Sequence, residues 1–120
     1  MANVLIVDDS PTETHILSGI LDRLGHTVTT AGNGEEGVEA AKTTMPDLIL
    51  MDVVMPGMNG FQATRLISKD PQTGHIPIIL VTTKDQETDK MWGLRQGARD
   101  YVTKPVDEEV MVAIIKDCLS

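Results

Sequence analysis

Leu48-Ile49-Leu50-Met51-Asp52-Val53-Val54-Met55-Pro56-Gly57-Met58-Asn59-Gly60 is an apolar run that meets a carboxylate and passes into a loop built on Pro and Gly. A run this short, bounded by Pro46 and Pro56, reads as a strand buried on both faces. An ionised carboxylate inside such a strand would be costly, so Asp52 is expected at its end, facing a cleft. In open parallel sheets that end is where ligands bind. Pro56 presets φ and Gly57 permits positive φ, which suits a tight turn. Taken alone, Asp52 reads equally well as a cap for the segment that follows.

Upstream, Val4-Leu5-Ile6-Val7 is another apolar run, ending in Asp8-Asp9. Ser10-Pro11 signals a helix start, with Ser as N-cap and Pro at the first position. Ile16, Leu17, Ile20, Leu21 and Leu24 then form one apolar stripe, and Gly25 supplies the C-cap. Residues 26–31 read as a more polar strand at a sheet edge, and Asn33-Gly34 as a turn. A helix over 35–42 directs Val38, Ala41 and Met45 inward.

Downstream, a helix over 61–69 has Phe61, Leu66 and Ile67 as core residues, and 70–74 is a loop by composition. Residues 76–81 make a fourth apolar strand ending in Thr82-Thr83. A polar helix over 85–96 carries Met91, Trp92 and Leu94, and Gly97 stops it. Residues 98–103 form a short fifth strand, closed by Lys104-Pro105. Asp107 caps a last helix with Val110, Met111, Ile114, Ile115 and Cys118 inward. Five βα repeats with short connections predict an α/β domain over residues 1–120, its parallel sheet covered by helices on both faces. No output domain is expected.

The formal net charge of −8 opposes sequence-independent nucleic-acid binding and docking to anionic lipid, both of which need basic patches. Cys118 is the only cysteine, so no internal disulfide forms, which suits a reducing cytoplasm. The N-terminus has no signal-peptide pattern, and no apolar run approaches the roughly 20 residues of a membrane span. A cytoplasmic protein without membrane insertion is expected.

The strand C-termini collect Asp8, Asp9, Asp52, Thr82 and Lys104. Two carboxylates about 4 Å apart repel by roughly 4 kcal/mol at an effective dielectric of about 20, so a cluster of three calls for a cation. Hard oxygens without a His or Cys set favour Mg²⁺, with Mn²⁺ as the alternative. Lys104 adds a point charge and Thr82 a hydroxyl, both suited to phosphate oxygens. The chemistry indicated is phosphoryl transfer onto Asp52 as nucleophile. Each residue alone has a plain structural explanation; five at the ends of four buried strands call for a site.

Asp8-Asp9, Asp52 with Met55-Pro56-Gly57-Met58-Asn59-Gly60, Thr82, and Gly97-Ala98-Arg99-Asp100-Tyr101-Val102-Thr103-Lys104-Pro105 resemble the receiver domain of two-component response regulators, in order and over the whole chain. The resemblance implies a flavodoxin/CheY-like (βα)5 fold with strand order 2-1-3-4-5. It implies that Asp52 accepts phosphate from a histidine kinase, here of the chemotaxis (CheA-like) type. Mg²⁺ would be held by Asp9, Asp52 and the backbone carbonyl of Val54, with Asp8 assisting through water. Thr82 and Tyr101 would be a switch pair, the hydroxyl moving toward the phosphate and the ring turning inward. The bond preceding Pro105 would be cis. Residues 82–90 with 61–65 are similar to stand-alone regulators of type IV pilus twitching motility, which implies a pilus-motor or signalling protein as output partner. Val54 and Lys84 differ from the Asn and Glu typical of chemotaxis CheY, so phosphate lifetime does not carry over from that relative.

Such a protein catalyses only its own phosphorylation and dephosphorylation. Within the family, the rival role is a phosphate sink that drains a shared kinase. A metal-dependent phosphohydrolase with an Asp nucleophile would use similar groups but usually needs a specificity insertion for which this chain has no room. A flavodoxin-like cofactor binder would want a phosphate loop after the first strand and flanking aromatics, against an aromatic content of 2%. His15, His26 and His75 match no metal spacing, and the Met residues read as core or partner surface. Trp92 reads either as helix packing or as an interface anchor.

Overall fold

The computed structural model describes residues 1–120. Strands and helices alternate without exception: β1 (Asn3–Val7), α1 (Pro11–Arg23), β2 (Thr27–Ala31), α2 (Gly34–Thr44), β3 (Leu48–Met51), α3 (Gly60–Lys69), β4 (Ile78–Thr82), α4 (Glu87–Gln96), β5 (Asp100–Thr103) and α5 (Glu108–Leu119). All strands are parallel, in the order β2-β1-β3-β4-β5, as the repeat and the family resemblance predicted. The polar β2 is at an edge, and β3 is central.

The period of two along each strand splits the core into two layers. Leu5, Val7, Ile49, Met51, Ile78 and Leu80 face α2 and α3, where they meet Ala41, Ala63 and Ile67. Val4, Ile6, Leu48, Leu50, Ile79 and Val81 face α1 and α5, where they meet Leu17, Ile20, Leu21, Met111 and Ile115. Burial on both faces explains why the central strands are continuous apolar runs rather than alternating ones. No helix is long and apolar enough to cross a membrane.

Helix starts follow their caps. Ser10 Oγ accepts from the Glu13 N–H, and Asp107 accepts from the Val110 N–H. Asn59 and Gln62 form a reciprocal capping box at the start of α3. Asn33, expected in a turn, is instead the N-cap of α2, accepting from the Glu36 N–H. Leu24, not Gly25, is the C-cap of α1, and Gly25 follows it at φ 83°. Helix α4 starts at Glu87, two residues later than expected, where Asp89 accepts from the Gln86 N–H.

Several expected core positions lie outside. Met45, expected inward, closes α2 in the left-handed region and is 43% exposed. The inner face of α2 belongs to Gly37 and Ala41, because Val7 presses so closely that only glycine fits at 37. Leu66 is 48% exposed, and Ala63, Thr64 and Ile67 take the inner face of α3. Ile16 and Val110 also lie on the solvent side of their helices. Met45 is turned off the stripe by its left-handed backbone, while Leu66, Ile16 and Val110 belong to stripes wider than the contact they make.

Candidate functional site

Strand register builds the site. Val7 pairs with Met51, so the next residues, Asp8 and Asp52, emerge side by side at the C-terminal edge. The Asp52 N–H donates to the Val7 carbonyl at 2.8 Å, fixing that alignment. One carboxylate oxygen from each of Asp8, Asp9 and Asp52 lies within 4.8 Å of the others. Asp8 and Asp52 are buried, while Asp9 is exposed.

Lys104 reaches this cluster from the end of β5. Its Nζ donates to Asp8 Oδ2 at 2.9 Å and stands 3.6 Å from Asp52 Oδ2. The Lys104 N–H donates to the Thr82 carbonyl at 2.8 Å, which anchors the base of that reach. The Lys104-Pro105 peptide bond is cis. Asp8 Oδ1 also accepts from the Ser10 N–H at 2.9 Å, so both its oxygens are committed and its orientation is set. Asp52 Oδ1 accepts from the Val53 N–H at 2.8 Å.

These contacts set the charge states. Burial raises the Asp52 pKa above its ordinary value; the Lys104 charge and the Val53 and Val54 N–H groups pull it down, while Asp8 pushes it up. Burial alone would lower the Lys104 pKa, but its hydrogen bond to Asp8 and the charges of Asp52 and Asp8 carry it above the ordinary value. The ammonium is therefore held charged beside the carboxylates. One lysine offsets only part of three carboxylates, and the remaining excess is what a divalent cation neutralises. The donor set is all hard oxygen, without His or Cys, and fits Mg²⁺.

The loop after Asp52 folds back on the site. Gly57 has φ 74°, the positive value expected from its place in the turn. At Gly60 any Cβ would collide with the Asp52 carbonyl, so the first turn of α3 sits directly against the Asp52 backbone. Val54 lies on this loop with its side chain exposed beside Lys84 and Trp92. Trp92 is itself about half exposed, so it is not a core residue.

Thr82 ends β4 fully buried, and its Oγ accepts from the Lys84 N–H at 3.3 Å. Tyr101 pairs with Leu80 in the sheet, and its hydroxyl donates to the Lys84 carbonyl at 2.7 Å. Burial, with the charges of Asp89, Asp85 and Asp52, pushes the Tyr101 pKa up to about 12. Lys84 thus joins both hydroxyls through its main chain, a role invisible in the sequence because backbone atoms carry no residue signature. Gly93, where an added Cβ would lie 2.5 Å from Leu80 Cδ1 and 3.2 Å from Tyr101 Cδ2, lets α4 close on the sheet and belongs to no motif in the sequence. A glycine inside a helix costs about 1 kcal/mol against alanine, and that cost was the available signal of close packing. His15 lines a groove beside Asp8 and Asp9, and His26 sits at the far end of the sheet accepting from the Ala2 N–H. No histidine joins the cluster.

Residues 4–116 match the family profile described as the response regulator receiver domain. The chain is 60% identical over 120 residues to Protein PilH of Pseudomonas aeruginosa, covering all of this chain and 99% of that one. It is 39% identical over 115 residues to the response regulator PleD of Caulobacter vibrioides, matching 96% of this chain but 25% of PleD. Among solved structures, it superposes on the chemotaxis protein CheY4 of Vibrio cholerae with a TM-score of 0.91 at 33% identity, covering 99% of each chain. The receiver domain of the Pseudomonas aeruginosa sensor histidine kinase PA1611, solved with a magnesium ion coordinated in its active site cleft, gives a TM-score of 0.90 at 30% identity, over 98% of this chain and 97% of that one.

Proposed function

Since the chain belongs to the response regulator receiver domain family, a family of signalling domains rather than classical enzymes, we propose that Asp52 is its phospho-acceptor. The observation that carries this reading is the Lys104 ammonium set between Asp8 and Asp52 at the end of the central strands. An Asp52 carboxylate oxygen attacks the phosphorus of a phosphohistidine. The new P–O bond forms as the P–N bond breaks, and the imidazole leaves with the electron pair and takes up a proton. An ionised carboxylate needs no general base for this attack.

Asp9, Asp52 and the backbone carbonyl of Val54 would hold Mg²⁺, the ion coordinated in the PA1611 receiver cleft, with Asp8 assisting through water. Once bound, it would supply positive charge to the phosphoryl oxygens. Lys104 supplies a second positive charge, fixed in place by its bond to Asp8. The Thr82 hydroxyl, at the end of β4, turns from the Lys84 N–H to donate to a phosphoryl oxygen. With Tyr101, it makes the pair through which phosphorylation reaches the surface of α4, β5 and α5.

The donor is a histidine kinase of the chemotaxis (CheA-like) type, and the output is control of type IV pilus twitching motility. Support for that finer reading is the resemblance of residues 61–65 and 82–90 to twitching-motility regulators, together with the identity to PilH over the full chain. Intact mass after incubation with acetyl phosphate and Mg²⁺ tests the acceptor: a labile gain of about 80 Da is expected, absent from Asp52→Asn. No adduct, and no complex with beryllofluoride as a trapping analogue, would sink the mechanism. Decay of the adduct within seconds would point to a phosphate sink, and persistence for many minutes to an output signal.

A further inference from the structure

Asparagine followed by glycine occurs twice, as Asn33-Gly34 and Asn59-Gly60, and the pairs open α2 and α3 on one face of the sheet. This dipeptide is prone to rearrange, because glycine has no Cβ to hinder the approach of its own amide nitrogen to the asparagine side chain. Hydroxide takes the glycine N–H proton, and the nitrogen attacks the asparagine Cγ. A new N–C bond closes a succinimide as the Cγ–Nδ2 bond breaks, and ammonia leaves with a proton from water. Water then opens the ring, mainly to isoaspartate, whose main chain runs through the former side chain.

The two pairs share much of the geometry that opposes this reaction. Both asparagines are N-caps with extended backbone. Their carbonyls accept from the Gly37 N–H at 2.9 Å and the Ala63 N–H at 3.0 Å. Their Oδ1 atoms each accept from the N–H three residues on, that of Glu36 and that of Gln62. The pairs part at the attacking nitrogen. The Gly60 N–H donates to the Val53 carbonyl at 2.9 Å. A Cβ on Gly60 would collide with the Asp52 carbonyl and lie 2.7 Å from Val53 Cα, so this backbone is wedged against the end of β3. The Gly34 N–H has no hydrogen-bond partner. Gly34 packs on a loop rather than on the sheet, where a Cβ would stand 2.6 Å from the Met58 carbonyl oxygen. Besides donating its N–H, the exposed Glu36 accepts from Asn33 Nδ2 at 2.8 Å, so fraying at this one residue frees the whole Asn33 side chain.

We propose that the fold sorts these two pairs: Asn33-Gly34 is a site of spontaneous isoaspartate formation in the native protein, and Asn59-Gly60 is sealed against the same reaction by Val53. Conversion at 33 removes the α2 cap, adds a negative charge and lengthens the main chain by one carbon. Because Gly34 rests on Met58, the change falls on the loop that follows Asp52. The seal at 59 keeps such damage from the turn that lies against the Asp52 backbone. The inference goes beyond the phospho-acceptor reading and does not depend on it.

The test ages the protein at mildly alkaline pH, folded and in denaturing urea, then digests it and scores the peptides carrying residues 33 and 59 with an isoaspartyl methyltransferase. Each site's folded rate is divided by its own rate in urea, which cancels the influence of neighbouring sequence. The ratio at 59 should fall at least about fivefold below that at 33, the factor for one intact hydrogen bond of ordinary strength. Equal ratios, a higher ratio at 59, or no conversion at 33 in the folded protein would overturn the proposal. Glu36→Ala takes a bond from Asn33 alone, and should speed conversion at 33 while leaving 59 unchanged. A parallel rise at both sites would trace the reaction to global unfolding, and no rise at 33 would remove the local route; either result counts against the proposal.

Discussion

Asp52, the proposed acceptor, carries a cost to the fold that holds it. Burial raises its pKa above the ordinary 3.8, so between that value and the raised one the native state holds a proton that the unfolded chain has lost. Stability therefore falls as pH rises through that window, and above it the ionised carboxylate is a standing cost. Asp52→Asn removes this charge beside Asp8 and is expected to raise Tm at pH 7, by about 4 °C for a gain on the order of 1 kcal/mol. The difference from wild type should shrink at acid pH, as Asp52 takes up a proton. Thermal melts at the two pH values check this; an equal or lower Tm for the variant at pH 7 would show that Lys104 fully offsets the charge. Thr64 carries a cost of a similar kind, a hydroxyl buried without a hydrogen-bond partner.

At the scale of helices, two glycines with the same local cost predict opposite outcomes. Gly19 lies in α1, where an added Cβ would meet only Arg23 Nη1 at 3.3 Å, the far end of a flexible side chain. Gly19→Ala should therefore stabilise by roughly 0.5–1 kcal/mol, seen as a higher urea midpoint. Gly37 lies in α2, where a Cβ would stand 2.8 Å and 2.9 Å from the two methyls of Val7. Val7 belongs to β1, paired on both sides and fully buried, so it cannot move away. Overpacking at about 1–3 kcal/mol outweighs the helix gain, and Gly37→Ala should lower the urea midpoint. A rise for both variants would mean that α2 shifts freely on the sheet.

Across the whole molecule, charge links the site to folding. A net charge of −8 with three carboxylates gathered at one sheet edge makes the fold sensitive to divalent cations. A cation that binds only the native state at about 100 times its Kd adds roughly 2.7 kcal/mol. Melting followed against Mg²⁺ concentration should rise accordingly for wild type and stay nearly flat for Asp9→Asn. Asp9 is the apt substitution because it is exposed and makes no hydrogen bond or ion pair that the change would break. A flat wild-type curve would falsify the cation site.

The sequence by itself determined the βα alternation, the buried strands and the carboxylates at their ends, because these rest on local pattern: apolar runs, caps and turn residues. It also carried the parallel sheet and, through the family resemblance, the strand order and the cis bond before Pro105. Only the tertiary structure decided which apolar residues are core. Met45, Leu66, Ile16 and Val110 fit the helical period but lie outside, because the width of a buried stripe is set by the shape of what it packs against. The same holds for the link from Thr82 to Tyr101. It runs through the backbone N–H and carbonyl of Lys84 and past the absent side chain of Gly93, two features that become specific only when distant strands and helices are brought together.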